Sequence, residues 1–146
     1  MLFGYAERAQ HRVVRGRRLL CSNRYRHRGC GRTLSIWLDT VIAGFAVRTR
    51  TLSDFVRRVT EGETKKAAWE QAACGALSLW SGYRLWQRLV VAQSALRTRL
   101  LGVAPAPPCS SKHPWAQLLA HFRRVLPGAD CVFARFQSLL QVALLS

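Results

Sequence analysis

Two stretches of this 146-residue chain gather side chains that can do chemistry. The first is Cys21-x8-Cys30-Gly31-Arg32-Thr33. A cysteine followed by glycine at a tight turn suits a zinc knuckle, because glycine lets backbone amides point at a thiolate sulfur. A structural zinc takes four ligands, and this stretch offers Cys21 and Cys30 only. His11 and His27 are candidate substitutes, at spacings that match no known ligand pattern. The plain alternative is two free thiols in a basic turn. No cofactor is expected, and zinc enters only if an upstream ligand pair is restored.

The second stretch is a pair of helices, Lys65–Ala73 and a longer one after Ser78, joined through Gly75. Such a pair is the outline of a helix-turn-helix, whose second helix enters the major groove. The early turns of that helix carry Trp80, Ser81, Arg84, Gln87 and Arg88. Arginine pairs bidentately with guanine, and glutamine with adenine. Arg84 and Arg88 lie one turn apart, with Gln87 beside them, all away from a Leu79–Tyr83–Trp86–Leu89 side. The alternative is a helical bundle with a solvated basic face. Trp37, Trp69, Trp80, Trp86 and Trp115 could stack on bases, but all except Trp80 sit on expected apolar faces.

Signals for catalysis are poor. The acids are Glu7, Asp39, Asp54, Glu61, Glu63, Glu70 and Asp130. They form no recognisable acid–base pair, and there is neither a phosphate-binding glycine loop nor a nucleophile elbow. His113 reads as a cap residue and His121 as a helix-surface residue. The chain is expected not to be an enzyme.

Charge points the same way. Twenty-three Lys and Arg against seven Asp and Glu leave a net charge of +16. Self-repulsion of that size opposes compaction, and a polyanion relieves it. Twenty of the cations are Arg, as in chains from GC-rich genomes, but that does not account for the shortage of acids. Residues 1–32 hold nine Arg and one Glu, a net of +8. Arg12, Arg15, Arg17, Arg18, Arg24, Arg26, Arg28 and Arg32 are therefore the expected phosphate contacts, with Lys65 and Lys66. Hydrophobic residues are 49% of the chain, enough for a core. Five cysteines at irregular spacing do not read as a disulfide framework. The first twenty residues contain no apolar run of a secretory signal, and no stretch is long enough to span a bilayer.

The elements that must position these residues read as mainly α. The expected organisation is a basic, partly zinc-ribbon-like segment over 1–33, a helix-turn-helix-like domain over 34–101, a Pro-rich linker over 102–112 and a C-terminal helical pair over 113–146. The first segment reads as a short hairpin turning at Gly16, or as irregular chain. Leu34, Trp37, Leu38, Val41, Ile42 and Phe45 follow the spacing of a buried helix face. Thr51-Leu52-Ser53-Asp54 reads as a capping-box variant opening a helix that ends at Gly62. Thr64 and Ser78 are expected N-caps, and the helix after Ser78 runs to about Leu101, with Leu79, Tyr83, Trp86, Leu89, Val90, Leu96 and Leu100 inward. Pro114 opens a helix with Trp115, Leu118, Leu119 and Phe122 inward. Pro127-Gly128 breaks it, and Asp130 caps a last helix from Cys131 to about Leu144.

The run Val13-Val14-Arg15-Gly16-Arg17-Arg18-Leu19-Leu20-Cys21-Ser22-Asn23-Arg24, continued by Gly29-Cys30-Gly31-Arg32-Thr33-Leu34-Ser35, resembles the second half of a transposase-type zinc ribbon. In that family an upstream C-x-x-C, a basic hairpin and a Cys-Gly-Arg-Thr element hold one zinc, and a helix-turn-helix commonly follows. Lys66-Ala67-Ala68-Trp69-Glu70 and Tyr83-Arg84-Leu85-Trp86-Gln87-Arg88-Leu89 occupy that place here. The resemblance covers roughly residues 12–100 and implies a DNA-binding protein of bacterial mobile-element type. The first C-x-x-C and the Asp-Asp-Glu catalytic core of a transposase do not occur in this sequence. What the resemblance implies is thus DNA binding without transfer chemistry, as in a truncated remnant in the cytoplasm.

Two other functions fit the same residues. One is an RNA-binding accessory protein, with Arg and Trp engaging a structured RNA. The other is a helical protein–protein adaptor, whose last two helices offer an apolar face to a partner helix.

Overall fold

A computed structural model describes residues 2–6, 11–22, 28–42, 44–140 and 144–145, with the backbone alone for 2–6 and 11–15. The chain is mainly helical. Three strands come first: β1 (Leu2–Ala6), β2 (His11–Leu20) and β3 (Thr33–Trp37). Five helices follow: α1 (Thr49–Thr60), α2 (Lys65–Ala72), α3 (Leu79–Leu101), α4 (Pro114–Val125) and α5 (Val132–Leu140). The strands form an antiparallel sheet in the order β1-β2-β3.

Gly16 is not a hairpin turn. It lies within β2, between Leu2 of β1 and Trp37 of β3, and it is buried. A β-carbon there would collide with the Ile36 carbonyl oxygen, so glycine serves close backbone approach and not chain reversal. The helix expected from Leu34 is also absent. Thr33–Trp37 is a strand, with Ile36 opposite Arg17 and Leu34 opposite Leu19. The 3–4 spacing of apolar residues after Leu34 is incidental, because pairing with β2 satisfies these backbone groups first. Val41, Ile42 and Val47 do reach the core, but from a tight loop. The Ile42 amide donates to the Val47 carbonyl at 3.0 Å, and Gly44 turns the loop with φ 78°.

α1 begins two residues before the expected capping box, and its N-cap, Arg48, makes no side-chain cap bond. Asp54 is therefore no cap. It sits inside the helix and pairs with Arg57 at 2.6 Å and Arg58 at 2.9 Å. These residues are three and four positions on, where helical side chains meet. Thr64 caps α2 as expected, accepting the Ala67 amide at 3.3 Å. Ser78 occupies the N-cap of α3, but its hydroxyl meets that of Ser81 and not a backbone amide. Pro114 stands in the first turn of α4, where its missing N–H costs nothing. His113 caps α4 by accepting the Trp115 amide at 3.2 Å.

One cluster of buried side chains runs from Ile42 to Leu145 and takes in all five helices. Trp69, Phe55, Trp115, Phe122, Phe133 and Phe136 are its largest members. Phe122 meets Phe133 and Phe136 edge to face, with centroids 5.3 and 5.1 Å apart. Residues 105–113 form neither helix nor strand, but they do not divide the core. His121, expected on a helix surface, is buried, and its Nε2 meets the Ala104 carbonyl oxygen at 2.8 Å. Gln137 of α5 donates to the Asp39 and Val41 carbonyls at 2.7 and 3.1 Å and accepts the Leu144 amide at 3.0 Å. Among the described residues, no strand packs on any helix.

Candidate nucleic-acid interface

α3 is positioned from below by α2. The chain reverses between them through Cys74 and Gly75, with φ 50° and 71°. Trp69 of α2 is buried, and its indole N–H donates to the Ser78 carbonyl at 3.0 Å. That bond ties the core of α2 to the first turn of α3. Gly82 lets the two helices close up, since a β-carbon there would lie 2.5 Å from Trp69 Cγ. Phe55 of α1 meets Trp69 and Trp86 edge to face at 5.1 and 5.7 Å. The buried face of α3 is Gly82, Leu85, Leu89, Leu96 and Leu100.

This face is rotated from the expected one. Tyr83 and Val90, expected inward, are exposed at 40% and 52%. Trp86 is only half-buried and carries Lys65 Nζ 5.5 Å from its ring centroid. Trp37, also expected in the core, is exposed on β3.

Arg84, Gln87 and Arg88 are exposed, and Trp80 is 78% exposed at the start of the helix. Ser81 is half-buried. Arg84, Gln87, Arg88 and Ser81 line one wall of an open groove of about 800 Å³. Val91 and Ala92 continue that wall, and the Gly44–Val47 loop and Leu145 line the rest. The structure thus brings four of the residues singled out on α3 to one surface. Lys66 stands apart, 4.0 Å from Glu70.

Arg17, Arg18, Arg28 and Arg32 are exposed on and beside the sheet. Arg12 and Arg15 lie on β2, in the part described by backbone alone, and so does His11. Arg24, Arg26 and His27 lie outside the described residues.

The distribution of acids decides which cations are free. All five ion pairs among the described residues lie between positions 54 and 70. Arg57 is held by Asp54 and Glu61, and Arg58 by Asp54 and Glu63, with a further hydrogen bond to Gln71. Burial pushes the Asp54 carboxyl up, but hydrogen bonds from Arg58 and Arg57 outweigh it and hold the group below its usual range. Residues 71–129, by contrast, hold seven Lys and Arg and no Asp or Glu. No carboxylate pairs with Arg84, Arg88, Arg97 or Arg99 among the described residues, although Arg97 donates to Gln117. This acid-free stretch is visible in the sequence itself. It adds Arg97 and Arg99, both exposed on the later turns of α3.

Cys21 and Cys30 come together at the end of the β2–β3 ladder. The Cys30 amide donates to Cys21 Sγ at 3.3 Å. The nearby Arg32 amide and then the Cys21 thiol favour the Cys30 thiolate and hold the Cys30 thiol below its usual value. Amides aimed at sulfur are the feature a knuckle requires. No group of three or more His, Cys, Asp or Glu able to hold a metal occurs among the described residues. Nor is any helix among them long and apolar enough to cross a membrane. Comparison with protein-family models, with curated proteins and with solved structures finds no match to this chain.

Proposed function

We propose that this chain binds double-stranded DNA. The exposed Arg84, Gln87 and Arg88 of α3 would meet base edges, and the arginines of the sheet would meet phosphates. The observation that carries this reading is the uncompensated charge of α3. Its four arginines project from a helix without a single acid, while the ion-paired carboxylates Asp54, Glu61, Glu63 and Glu70 hold cations of α1 and α2. A helix held rigidly on a packed core, with two arginines and a glutamine on one exposed face, has the composition that reads a major groove. The assignment to a bacterial mobile-element, transposase-related type rests on the Cys-Gly-Arg-Thr element and its helical sequel. Cytoplasmic residence and the lack of a catalytic core follow from that same reading.

A filter-binding titration against salt tests it. Each phosphate contact adds about 0.9 to the slope of log affinity against log salt on duplex DNA. Six contacts would cost on the order of a thousandfold between low and moderate salt. A flat response overturns the proposal. Arg84→Ala and Arg17→Ala then separate reading from holding. The first is expected to cost roughly 1–3 kcal/mol at a selected site and to relax one base position. The second should weaken all sequences alike, because phosphate contacts carry no sequence information. Equal shifts on selected and scrambled duplexes would leave a non-specific polyanion binder. The largely exposed Trp80 ring, one turn before Arg84, favours RNA as the second reading, and stronger retention of total RNA than of duplex in direct competition would select it.

A further inference from the structure

Cys21 and Cys30 are nine positions apart in sequence, yet the amide of the second meets the sulfur of the first. The Cys30 amide donates to Cys21 Sγ at 3.3 Å, which sets the backbone of one cysteine against the thiol of the other. The backbone around them is already clamped. The Cys21 amide donates to the Arg32 carbonyl, and the Gly31 amide to the Cys21 carbonyl, each at 2.9 Å. Gly31 and Arg32 thus face the single residue Cys21, and Gly31 supplies the left-handed φ of 67° which that arrangement takes. Both cysteines are exposed. No hydrogen bond links any other two cysteines among the described residues: Cys74 donates to the Gln71 carbonyl.

We propose that Cys21 and Cys30 are a reversible dithiol–disulfide pair and a modification site for low-molecular-weight disulfides of the oxidised-glutathione class. One cysteine, as thiolate, attacks a sulfur of the small disulfide. The small molecule's S–S bond breaks, one small thiolate leaves and takes a proton, and a mixed disulfide forms. The second cysteine loses its proton and attacks the protein-side sulfur of that mixed bond. The Cys21–Cys30 bond forms, and the second small thiol departs. The protein loses two hydrogens, and the small disulfide is reduced to two thiols. The second step is normally limited by the entropy of bringing two chain positions together. Here the ladder has met that cost, so the step runs at a high effective concentration. The exposed Arg28 and Arg32 beside the pair attract an anionic peptide disulfide. Arg24, Arg26 and Arg28 lie between the two cysteines in sequence, so oxidation encloses three arginines in a covalent ring. This exchange requires no nucleic acid.

The test treats the full chain with a mixture of reduced and oxidised glutathione, quenches by acid, alkylates and maps peptides by mass. The expected product is a Cys21–Cys30 cross-link two hydrogens lighter, while Cys74 and Cys109 stop at glutathione adducts. In Cys30→Ser the reaction at Cys21 halts at the adduct, and in Cys21→Ser that at Cys30 does. Adduct at Cys21 should rise roughly tenfold or more in Cys30→Ser over the unmodified chain, which has a resolving thiol. Circular dichroism checks that both serine variants keep their helices, as expected for exposed positions. Glutathione adducts on both Cys21 and Cys30 of the unmodified chain, or cross-links that join either to Cys74, Cys109 or Cys131, overturn the proposal.

Discussion

Leu34 on β3 and Leu96 on α3 are the same residue in opposite circumstances: the first is 62% exposed and the second 1%. The contrast extends to the regions they represent. The sheet exposes Leu19, Leu20, Leu34, Ile36 and Trp37 and packs on no helix among the described residues. Hydrogen bonding along its ladders is what holds it. The helical region buries one continuous core of aromatic and aliphatic side chains drawn from all five helices. Stability therefore resides in the helices, and the sheet is a basic appendage whose integrity depends on register. An interface spread over both regions would combine a stiff reader with a softer electrostatic contact. Four substitutions sharpen or break that division.

The largest effect is expected at Trp69. Trp69→Ala removes a buried ring, its hydrogen bond to Ser78 and its edge contact with Phe55. A loss of roughly 3–5 kcal/mol is expected, since large-to-small core changes leave a cavity. Thermal or urea unfolding followed at the helical signal would measure it, and a loss below about 1 kcal/mol would mean that α2 does not anchor α3.

Gly82→Ala asks the opposite question at the same contact. The added methyl has to displace the Trp69 ring, so about 1–3 kcal/mol of overpacking is expected. A neutral result would show that α2 and α3 are not closely seated.

Asp54→Asn probes the ion-pair network that keeps acids on α1. The pairs are partly exposed, so about 0.5–1 kcal/mol is expected. The pH dependence has a definite sign. The folded Asp54 carboxyl titrates below its ordinary value of 3.8, so its contribution is complete above that pH. It is lost as pH falls through the lower, folded value. Urea midpoints of the two proteins should thus differ by a constant amount from neutral pH down to about 5 and converge in stronger acid. A difference that grows on acidification would contradict the pairing.

Leu34→Ser should do least. An exposed leucine on an unpacked sheet contributes little, and a change within about 0.5 kcal/mol is expected in global unfolding. A loss above about 2 kcal/mol would show the sheet to be covered, and would merge the two regions into one cooperative unit.

Much of the helical region was legible residue by residue. Thr64, Gly62, Pro114 and Pro127-Gly128 mark helix ends by local chemistry: a side-chain cap, a left-handed glycine, a missing N–H. The periodic apolar residues of α1 and α4 marked their buried faces, because a helix satisfies its backbone within itself. α3 was legible in extent but not in rotation. With apolar residues on several sides, Tyr83 and Val90 had as good a claim to the core as Leu85, and only the seat of Trp69 against Gly82 selects the face. The exposed positions of Arg84, Gln87 and Arg88 were legible all the same, since charged and amide side chains without buried partners stay in water.

The N-terminal third was not legible in this way. A strand has no internal partner, and whether Thr33–Trp37 pairs depends on β2, more than ten residues earlier. Gly16 could be read equally as a turn or as a close approach, and the collision its β-carbon would make with Ile36 exists only once the strands are side by side. The same holds for the two thiols. Their spacing alone describes neither a pair nor a metal site, whereas the ladder bonds of Cys21, Gly31 and Arg32 bring the Cys30 backbone onto the Cys21 sulfur. By itself, then, the sequence determined the mainly helical class, the excess of positive charge and the helix ends, because these follow from local propensity and composition. Tertiary structure alone decided the face of α3 that meets the core, the pairing of β3 and the meeting of Cys21 with Cys30. Each of these depends on contacts between distant residues, and no local rule can supply them.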